Sequence, residues 1–370
     1  MTGSMNFGFL SHKPSPPKGR RVAVVGAGPS GLSAAGYLAR WGYEVEVLDK
    51  MPKAGGLMVF GIPGHRIPPE RIQKGVRDLE ERLGVRFRLE TKISGCKPLH
   101  EDTGDHFCSD MVSLGELTQE FDAVLICTGT WKSRKLNIPG EGLPGVMSGL
   151  EFLFPIRAAR YDKQRVQQVD VRDKRVAVIG AGHSAVDVVE GALQQKASRV
   201  VMMYRRTRRE APCGSGEIET LQAAGAEWME LVSPLRILGE QQVEGIEVTR
   251  CRLGKPGPSG RCRFVPVENG NLTIDVDLVI SAIGEIPTAP FAAELGLDTV
   301  RKGDIHWLQM TSQEGIFVAG DVLSGPSKIG RAVYSGLRAA RSLSSWLSLK
   351  DQNREDEYNY DDDFVGKGEL

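Results

Sequence analysis

The sequence lacks the features that mark several classes of protein. None of its six cysteines forms a CxxC or CxxxC pair, a spacing typical of zinc knuckles, iron–sulfur sites and redox-active dithiols. No apolar run reaches the roughly 20 residues of a membrane span, and the N-terminal segment holds no apolar core of signal-peptide length. Basic and acidic residues balance at 47 each, which gives no reason to expect nucleic acid or a membrane surface as partner. We therefore expect a cytoplasmic protein without a metal or iron–sulfur cluster in this chain.

The residues that are present favour a globular α/β protein. At 370 residues, with 41% apolar residues and 44 glycines, the chain is long enough for two domains that each have a core. Short apolar runs such as DAVLICTG and DLVISAIG alternate with segments of helical period. This alternation predicts parallel sheets flanked by helices.

One motif occurs twice. RRVAVVGAGPSG (20–31) and KRVAVIGAGHSA (174–185) each place a glycine-rich turn between an apolar strand and a helix. In such a turn the first glycine permits the bend, the second lets the backbone approach a pyrophosphate, and the third lets helix and strand pack closely. The phosphates then meet the N-terminus of the helix. The chain is therefore predicted to bind two dinucleotides.

The two copies differ where their second strand ends. Asp49 follows Gly31 by eighteen residues, at the distance where a carboxylate accepts hydrogen bonds from an unmodified ribose. The second copy has Arg205 and Arg206 at the corresponding place, and Arg208 and Arg209 follow. Guanidinium groups suit a 2′-phosphate. This favours NADP over NAD in the second copy, with NAD binding or a solvated basic turn as the alternatives.

Longer stretches resemble a known family. GGL at 55–57, TG at 128–129 and GD at 320–321, in this order after the first fingerprint, resemble the two-dinucleotide flavoproteins, in which the last Gly-Asp meets the FAD ribitol. GGLMVFGIPGHRIP, CTGTWKSRKLNIPGE and FVAGDVLSGPSKIGRAV are similar to the small (beta) subunit of NADPH-dependent glutamate synthase. The flavoprotein subunit of NADH-dependent ferredoxin:NADP oxidoreductase belongs to the same group.

The resemblance implies two Rossmann-like dinucleotide-binding domains, the NAD(P) domain being inserted into the FAD domain. The expected bounds are an N-terminal arm (1–19), an FAD-binding domain in two parts (20–135 and 296–348), an NAD(P)-binding domain (136–295) and an acidic flexible tail (349–370). The predicted FAD contacts are Gly26, Gly28, Pro29, Ser30, Gly31, Asp49, Lys50, Gly56, Leu57, Thr128, Gly129, Gly320 and Asp321. The predicted NAD(P) contacts are Gly180, Gly182, His183, Ser184, Ala185, Arg205, Arg206, Ala282 and Gly284.

Two departures from the family pattern bear on function. Family members have Asn then Thr where this chain has His183 and Ser184, which leaves the NAD or NADP preference open. Family members also carry an N-terminal domain whose cysteines hold iron–sulfur clusters, whereas only residues 1–19, without cysteine, precede the first fingerprint here. We therefore expect the clusters to lie in a partner.

The sequence thus predicts an FAD-dependent NAD(P)H:acceptor oxidoreductase that acts as an electron-transfer subunit. Its expected partners are an iron–sulfur subunit and a catalytic subunit. The cofactors carry the chemistry, so no side chain is predicted to be a catalytic acid or base. The alternatives are a stand-alone reductase resembling ferredoxin:NADP reductase, a thioredoxin-reductase-like enzyme, a flavin monooxygenase, and a flavin-bound structural or redox-sensing subunit.

Overall fold

The computed structural model describes residues 5–8, 13–95, 103–162, 164, 166–257, 260–287, 295–297 and 307–354. The chain divides into two compact units, Met1–Lys132 with Ile286–Leu370 and Ser133–Glu285. The functional domain bounds given above stay predictions. Most of the predicted acidic tail, much of the predicted N-terminal arm and Cys96 lie outside the described residues.

The first unit contains a parallel sheet in the order β17 (Ile316–Val318), β6 (Ala123–Ile126), β1 (Arg21–Val25), β2 (Glu44–Leu48) and β3 (Arg86–Arg88). β1 is central, because it pairs with β2 from Arg21↔Glu44 to Val25↔Leu48 and with β6 from Val22↔Ala123 to Val25↔Ile126. The carboxyl ends of these strands therefore share one edge of the sheet, where ligands of such folds bind. The strands of this unit are β1 (Arg21–Val25), β2 (Glu44–Leu48), β3 (Arg86–Arg88), β4 (Thr91–Ser94), β5 (Asp110–Ser113), β6 (Ala123–Ile126) and β17 (Ile316–Val318).

The helices of the first unit begin and end at local signals. The first-turn prolines, such as Pro29 and Pro69, lose no helical hydrogen bond there, and Gly84 ends one helix at a φ of 68°. Ser113 and Glu116 form a capping box at the start of another. These helices are α1 (Pro29–Arg40), α2 (Leu57–Phe60), α3 (Pro69–Leu83), α4 (Leu114–Glu120), α8 (Asp321–Ser324) and α9 (Ile329–Lys350), with a 3₁₀ turn at Asp105–Phe107.

The second unit repeats this plan with a parallel sheet in the order β11 (Glu227–Glu230), β10 (Arg199–Tyr204), β9 (Arg175–Ile179), β15 (Leu278–Ser281) and β8 (Val146–Ser148). Its central strand, β9, pairs with β10 up to Ile179↔Met203 and with β15 up to Ile179↔Ser281. The elements are β8 (Val146–Ser148), α5 (Gly149–Ala158), β9 (Arg175–Ile179), α6 (His183–Gln194), β10 (Arg199–Tyr204), α7 (Ser215–Ala223), β11 (Glu227–Glu230) and β15 (Leu278–Ser281), with a 3₁₀ turn at Arg208–Glu210.

An antiparallel sheet is added to the second unit between β11 and β15. β12 (Val232–Leu238) pairs with β13 (Gly245–Pro256), and β13 pairs with β14 (Cys262–Asp275). Two short strands, β7 (Lys132–Ser133) and β16 (Glu285–Ile286), mark where the chain enters and leaves this unit.

The start of the central strand is held in the same way in both units. The backbone N–H of Arg21 donates to Asp122 Oδ2 at 2.7 Å, and that of Arg175 donates to Asp277 Oδ2 at 2.7 Å. Each aspartate is the residue immediately before the neighbouring strand: Asp122 precedes β6 and Asp277 precedes β15. The Arg175 side chain also donates to Asp277, and this bond holds the pKa of that carboxyl below its usual range.

The cores of the units form separately. In the first unit one apolar cluster joins residues of β1, β6 and β17 to those of α4. In the second unit two clusters cover the two faces of its parallel sheet. Coverage on both faces explains why these strands read as continuous apolar runs. Among the helices that the structure describes, none combines the length and the apolarity that a membrane crossing requires.

Candidate functional site

The turn after β1 is shaped by two glycines and opens at a third. Gly26 has a φ of 107°, and a Cβ there would lie 2.4 Å from the carbonyl oxygen of Cys127. A Cβ at Gly31 would lie 1.9 Å from the carbonyl oxygen of Gly26. Both positions therefore require glycine for close backbone packing. Gly28 differs, because a Cβ there would meet nothing within 4 Å.

The open space lies at the first turn of α1. Gly28 is the N-cap, Pro29 is the first helical residue, and Ser30 follows with its hydroxyl directed to Cys127 Sγ at 3.5 Å. No side chain caps this helix end, so its first backbone N–H groups are available to an anion. The predicted phosphate contacts of the first copy therefore share one turn.

Asp49 is tied to this turn by its side chain. Its Oδ2 accepts from the backbone N–H of Ala27 at 2.5 Å, and its Oδ1 accepts from that of Met51 at 2.8 Å. Only 8% of the residue is exposed. Burial raises the pKa of Asp49, while the two backbone hydrogen bonds act in the opposite direction. The carboxylate thus connects the end of β2 to the loop after β1.

The Gly55-Gly56-Leu57 segment approaches the same turn. Gly55 N–H donates to the Ala27 carbonyl at 2.8 Å. Gly56 has a φ of 53°, and a Cβ there would lie 2.9 Å from Gly28 Cα. Leu57 begins α2 and is half-buried. This segment forms a second side of the space at Gly28.

Lys50 has intramolecular partners beside Asp49. Its Nζ lies 3.1 Å from Asp105 Oδ1 and 4.3 Å from the centre of the Trp131 ring. Lys92 also forms a salt bridge with Asp105. A direct FAD contact by Lys50 stays a prediction, and its described contacts hold the Asp105 turn and Trp131 next to the strand end.

The end of β6 supplies the next part of the site. Thr128 Oγ1 is buried and has no hydrogen-bond partner among the described residues, which suits a polar group brought by a ligand. Gly129 has a φ of 71°. The Thr128 carbonyl accepts from Trp131 Nε1 at 2.9 Å, so the indole is fixed. Burial raises the pKa of the neighbouring Cys127 thiol to about 12, so this thiol is protonated at neutral pH.

The Gly320-Asp321 turn follows β17 and starts α8. A Cβ at Gly320, whose φ is 79°, would lie 2.8 Å from Ser30 Cβ. The turn therefore sits against the start of α1. Burial raises the pKa of Asp321, and hydrogen bonds from Ser327 oppose this; Ser327 Oγ donates to Asp321 Oδ1 at 2.6 Å.

A hydrogen-bonded relay holds this turn, and the sequence does not reveal it. Gly320 N–H donates to Ser335 Oγ at 2.9 Å, and Gln309 Nε2 donates to the same oxygen at 3.0 Å. Gln309 Nε2 also donates to the Val318 carbonyl at 2.9 Å. Gln309 is 6% exposed and has a φ of 61°, a conformation that non-glycine residues adopt rarely. An isolated glutamine in a loop belongs to no hydrophobic pattern and to no motif, so the sequence gives at most a weak signal for its role.

The second copy repeats the backbone geometry of the first. Gly180 has a φ of 135°, and a Cβ there would lie 2.3 Å from the Ala282 carbonyl oxygen. Gly182 is the N-cap of α6, and a Cβ there would meet nothing within 4 Å. His183 and Ser184 are exposed in the first turn, while Ala185 is fully buried. The departure from the family pattern therefore lies on the open side of this helix end.

The strand β15 ends beside this turn. Ala282 N–H donates to the Ile179 carbonyl at 2.8 Å. Gly284 has a φ of 99°, and its carbonyl accepts from Arg134 N–H at 2.9 Å. Ser281 Oγ, at the end of the strand, is buried and has no hydrogen-bond partner within the part of the chain that the structure describes. Ser281 was not predicted as a site residue.

The arginines after β10 fall into two groups. The Arg205 guanidinium lies over the Phe264 ring, 4.8 Å from its centre, and Arg206 Nε donates to the Cys262 carbonyl at 2.7 Å. Arg208 instead contacts α7, because its Nη2 donates to Gln222 Oε1 at 2.6 Å. Partial desolvation, followed by the charges of neighbouring arginines, lowers the pKa of Arg205. Positive charge is therefore concentrated next to the second turn.

The residues in place fit two dinucleotides. In each unit an uncapped helix end faces open space at its second glycine, at Gly28 and at Gly182. The first unit adds a carboxylate and a buried unsatisfied hydroxyl at Thr128. The second unit adds guanidinium groups. FAD in the first unit and a nicotinamide dinucleotide in the second match these donors and acceptors.

Comparison with known proteins places the chain in a family. Residues 20–336 match the family described as pyridine nucleotide-disulphide oxidoreductase. The NADP(+)-dependent formate dehydrogenase subunit beta of Moorella thermoacetica is 33% identical over 335 residues, which are 89% of this chain and 44% of that protein. The glutamate synthase (NADPH) small chain of Halomonas elongata is 31% identical over 339 residues, which are 89% of this chain and 68% of that protein. The chain thus spans less than half of the first relative's length.

Solved structures agree on the fold. The Mycobacterium tuberculosis protein FprA, in a His57Gln mutant, superposes with a TM-score of 0.74 at 21% identity, over 95% of this chain and 89% of that one. Thioredoxin reductase of T. acidophilum gives a TM-score of 0.58 at 22% identity, over 88% and 98%. These likenesses concern the fold alone.

The findings confirm the predicted resemblance, the predicted two-dinucleotide flavoprotein fold and the predicted enzyme class, an FAD-dependent NAD(P)H:acceptor oxidoreductase. The individual contacts of the site residues stay predictions. The chain belongs to the pyridine nucleotide-disulphide oxidoreductase family.

Proposed function

We propose that this chain is the FAD-containing NAD(P)H oxidoreductase subunit of a multi-subunit redox complex. Hydride is exchanged between a nicotinamide and FAD, and electrons pass to or from iron–sulfur clusters of a partner subunit. One observation carries the proposal. Two turns of the same geometry end in opposite chemistry, a buried carboxylate at Asp49 and guanidinium groups at Arg205, which is exposed, and Arg206, which is half-buried.

The residues around Asp49 bind and orient FAD in this proposal. Each carboxylate oxygen accepts one backbone N–H and keeps a further lone pair for a ribose hydroxyl. A hydroxyl that donates to the ionised carboxylate lowers its pKa, in the same direction as the two backbone bonds. The N–H groups at the start of α1 receive the pyrophosphate. The bound flavin supplies the step between two-electron and one-electron chemistry.

The second unit selects the nicotinamide dinucleotide. The start of α6 receives its pyrophosphate, and Arg205 and Arg206 receive a 2′-phosphate, so we propose NADP(H) as the physiological partner. The names of both relatives reported above include NADP(H) and a subunit or chain of a larger enzyme. They support a subunit of a glutamate-synthase-like complex or of a formate oxidoreductase; an NAD-linked aldehyde or hydrogen oxidoreductase is the further alternative. A cytoplasmic location stays a prediction.

Flavin reduction by the purified chain tests the dinucleotide assignment. We expect anaerobic NADPH to bleach the FAD absorbance faster than NADH does at equal concentration. Charge-assisted hydrogen bonds contribute about 1.5–3 kcal/mol each, so Arg205→Gln with Arg206→Gln raises the KM for NADPH about tenfold or more and leaves the KM for NADH nearly unchanged. Equal effects on both nucleotides would contradict the NADP assignment.

Arg199→Gln is the matched control for charge. Arg199 lies at the opposite, amino end of the same strand and forms two hydrogen bonds of 2.8 Å with Glu227. The Arg199→Gln substitution removes one positive charge from the same unit and leaves the predicted phosphate site unchanged. We expect the ratio of the two KM values to stay at the value of the unaltered chain.

The partner is tested by affinity purification of the chain from its native host, followed by a count of iron per complex. We expect an iron–sulfur protein to co-purify and to accept electrons from the NADPH-reduced chain. A chain that turns over a soluble ferredoxin at full rate without co-purifying protein would instead be a stand-alone reductase. Flavin that neither nucleotide reduces would identify a structural or redox-sensing subunit.

A further inference from the structure

The hairpin of β13 and β14 reaches the arginines that follow β10. Its far end, where β14 begins, presents the Cys262 carbonyl to Arg206 Nε at 2.7 Å. Two residues later, the Phe264 ring lies under the Arg205 guanidinium at 4.8 Å. Both contacts join residues more than 50 positions apart in the same unit. The conformation of the two arginines is therefore set by the hairpin and by the end of β10 together.

These contacts leave the phosphate-binding groups of the arginines available. The hydrogen bond to the Cys262 carbonyl uses the Nε–H group of Arg206. The four N–H groups of Nη1 and Nη2 therefore remain available to a phosphate. The Phe264 contact places the central guanidinium carbon of Arg205 over the ring and uses no hydrogen bond of Arg205, so its N–H groups remain available to a phosphate. Within the described part of the chain, neither arginine forms a salt bridge with a carboxylate. Arg208 contrasts with them, because it pairs with Glu219 and Gln222.

The hairpin also brings a third positive charge. Arg261 is exposed, immediately precedes Cys262, and forms no salt bridge with any carboxylate among the described residues. Its charge and that of Arg206 both lower the pKa of Arg205. Three guanidinium groups near one another repel in the free protein, and a dianionic phosphate relieves that repulsion.

We propose that the far end of this hairpin is a wall of the 2′-phosphate site and determines the preference for NADP(H). Phe264 and the Cys262 carbonyl are positioning groups for Arg205 and Arg206, and Arg261 contributes a third charge to the phosphate. The proposal rests on the assignment of NADP(H) to the second unit. It extends the determinant of specificity from the strand end, where the sequence motif lies, to a hairpin that the motif does not include.

Substitutions in the hairpin test this role in the full-length, FAD-loaded chain. Because the ring holds the Arg205 guanidinium in place, Phe264→Leu should raise the KM for NADPH roughly three- to tenfold, with the KM for NADH and kcat unchanged. Phe264→Tyr keeps the ring and should restore the NADPH value. Arg261→Gln should raise the KM for NADPH by a similar factor and weaken binding of 2′,5′-ADP, measured by calorimetry.

Arg263→Gln is the control within the hairpin. Arg263 lies between Cys262 and Phe264 on β14, and its side chain packs near Gly254 and Gly257 of the same hairpin. This variant should keep the KM values of the unaltered chain. Circular dichroism and thermal unfolding of all variants separate a loss of folding from a loss of specificity.

The outcomes distinguish the two proposals. If Arg205→Gln with Arg206→Gln raises the KM for NADPH while Phe264→Leu and Arg261→Gln do not, the hairpin inference is wrong and the NADP assignment stands. If the double substitution leaves both KM values unchanged, the NADP assignment fails and the hairpin inference fails with it. A loss of affinity for NADPH and NADH to the same extent in Phe264→Leu also overturns the inference.

Discussion

At the scale of single residues, spacing predicted the groups whose place is fixed by local geometry. Asp49 and Arg205 follow from counting along a strand–turn–helix–strand unit, because each strand end lies beside the turn. Gln309 could not be found in this way. It acts on Gly320 through Ser335, across segments that are brought together only by tertiary packing. Sequence patterns carry no information about such a bond.

The relay predicts a specific defect for Gln309→Leu. The substitution leaves the buried Val318 carbonyl without its side-chain donor and removes one of the two donors to Ser335 Oγ. We expect a loss of about 1–3 kcal/mol in unfolding free energy, together with faster loss of FAD, because Gln309 no longer positions the Ser335 hydroxyl that accepts from Gly320 N–H. Chemical denaturation and the flavin retained after gel filtration measure the two effects.

Thr311→Val provides the comparison. Thr311 is buried in the same segment, and its hydroxyl bonds with the backbone of Gln313. This variant should be less stable than the unaltered chain but should retain FAD equally well. Equal flavin loss in the two variants would mean that the segment acts through general stability and that Gln309 has no positioning role.

At the scale of helices and strands, hydrophobic pattern and turn residues predicted both strand–turn–helix–strand units. The pattern missed α5, whose interior contains Pro155, because proline disfavours a helix in a sequence-based assignment. It also did not resolve β12, β13 and β14, since the pairing in an antiparallel sheet depends on register. The packing between helices could not be predicted either, because small residues allow two helices to approach closely but do not indicate which helix is the partner.

The contact between α1 and α9 gives a prediction for Gly336→Ala. A Cβ at Gly336 would lie 2.2 Å from the Ser30 carbonyl oxygen, so α9 must move away or displace the start of α1. We expect a loss of about 1–3 kcal/mol in stability and weaker FAD binding, measured by thermal unfolding of the apoprotein and by flavin titration.

Gly330→Ala, in the same helix, is the matched control. A Cβ there would meet nothing within 4 Å, and alanine is the better helix former, so apoprotein stability should be unchanged or should rise by up to about 1 kcal/mol. If both variants lose stability to the same degree, the close approach at Gly336 does not limit the packing of α9.

At the scale of the whole chain, the order of segments predicted that one dinucleotide-binding domain interrupts another. The structure divides the chain into Ser133–Glu285 and the two segments that flank it. Each of the three apolar clusters described above contains described residues of one unit alone. We therefore expect the second unit to fold from one continuous segment.

Residues 133–285 expressed alone should fold cooperatively. Their two apolar clusters cover both faces of the parallel sheet, and a segment of this size is typical of an independent domain. We expect a single thermal transition, binding of 2′,5′-ADP and no retention of FAD. The Arg205→Gln, Arg206→Gln form of the same segment is the control for specific binding. A segment without a cooperative transition would show that the flanking residues are needed for folding.

The near-identity of the two glycine turns has a consequence for how such a chain changes over evolution. At Gly26 and at Gly180 the obstacle to any larger residue is a carbonyl oxygen of the neighbouring strand, at 2.4 and 2.3 Å from the position of a Cβ. The constraint at these positions comes from the polypeptide itself, whichever nucleotide is bound. The residues proposed to distinguish the nucleotides lie elsewhere, at strand ends and on the hairpin of β13 and β14. A chain can therefore change its preferred coenzyme through substitutions at those positions while the backbone contacts at Gly26 and Gly180 stay as they are.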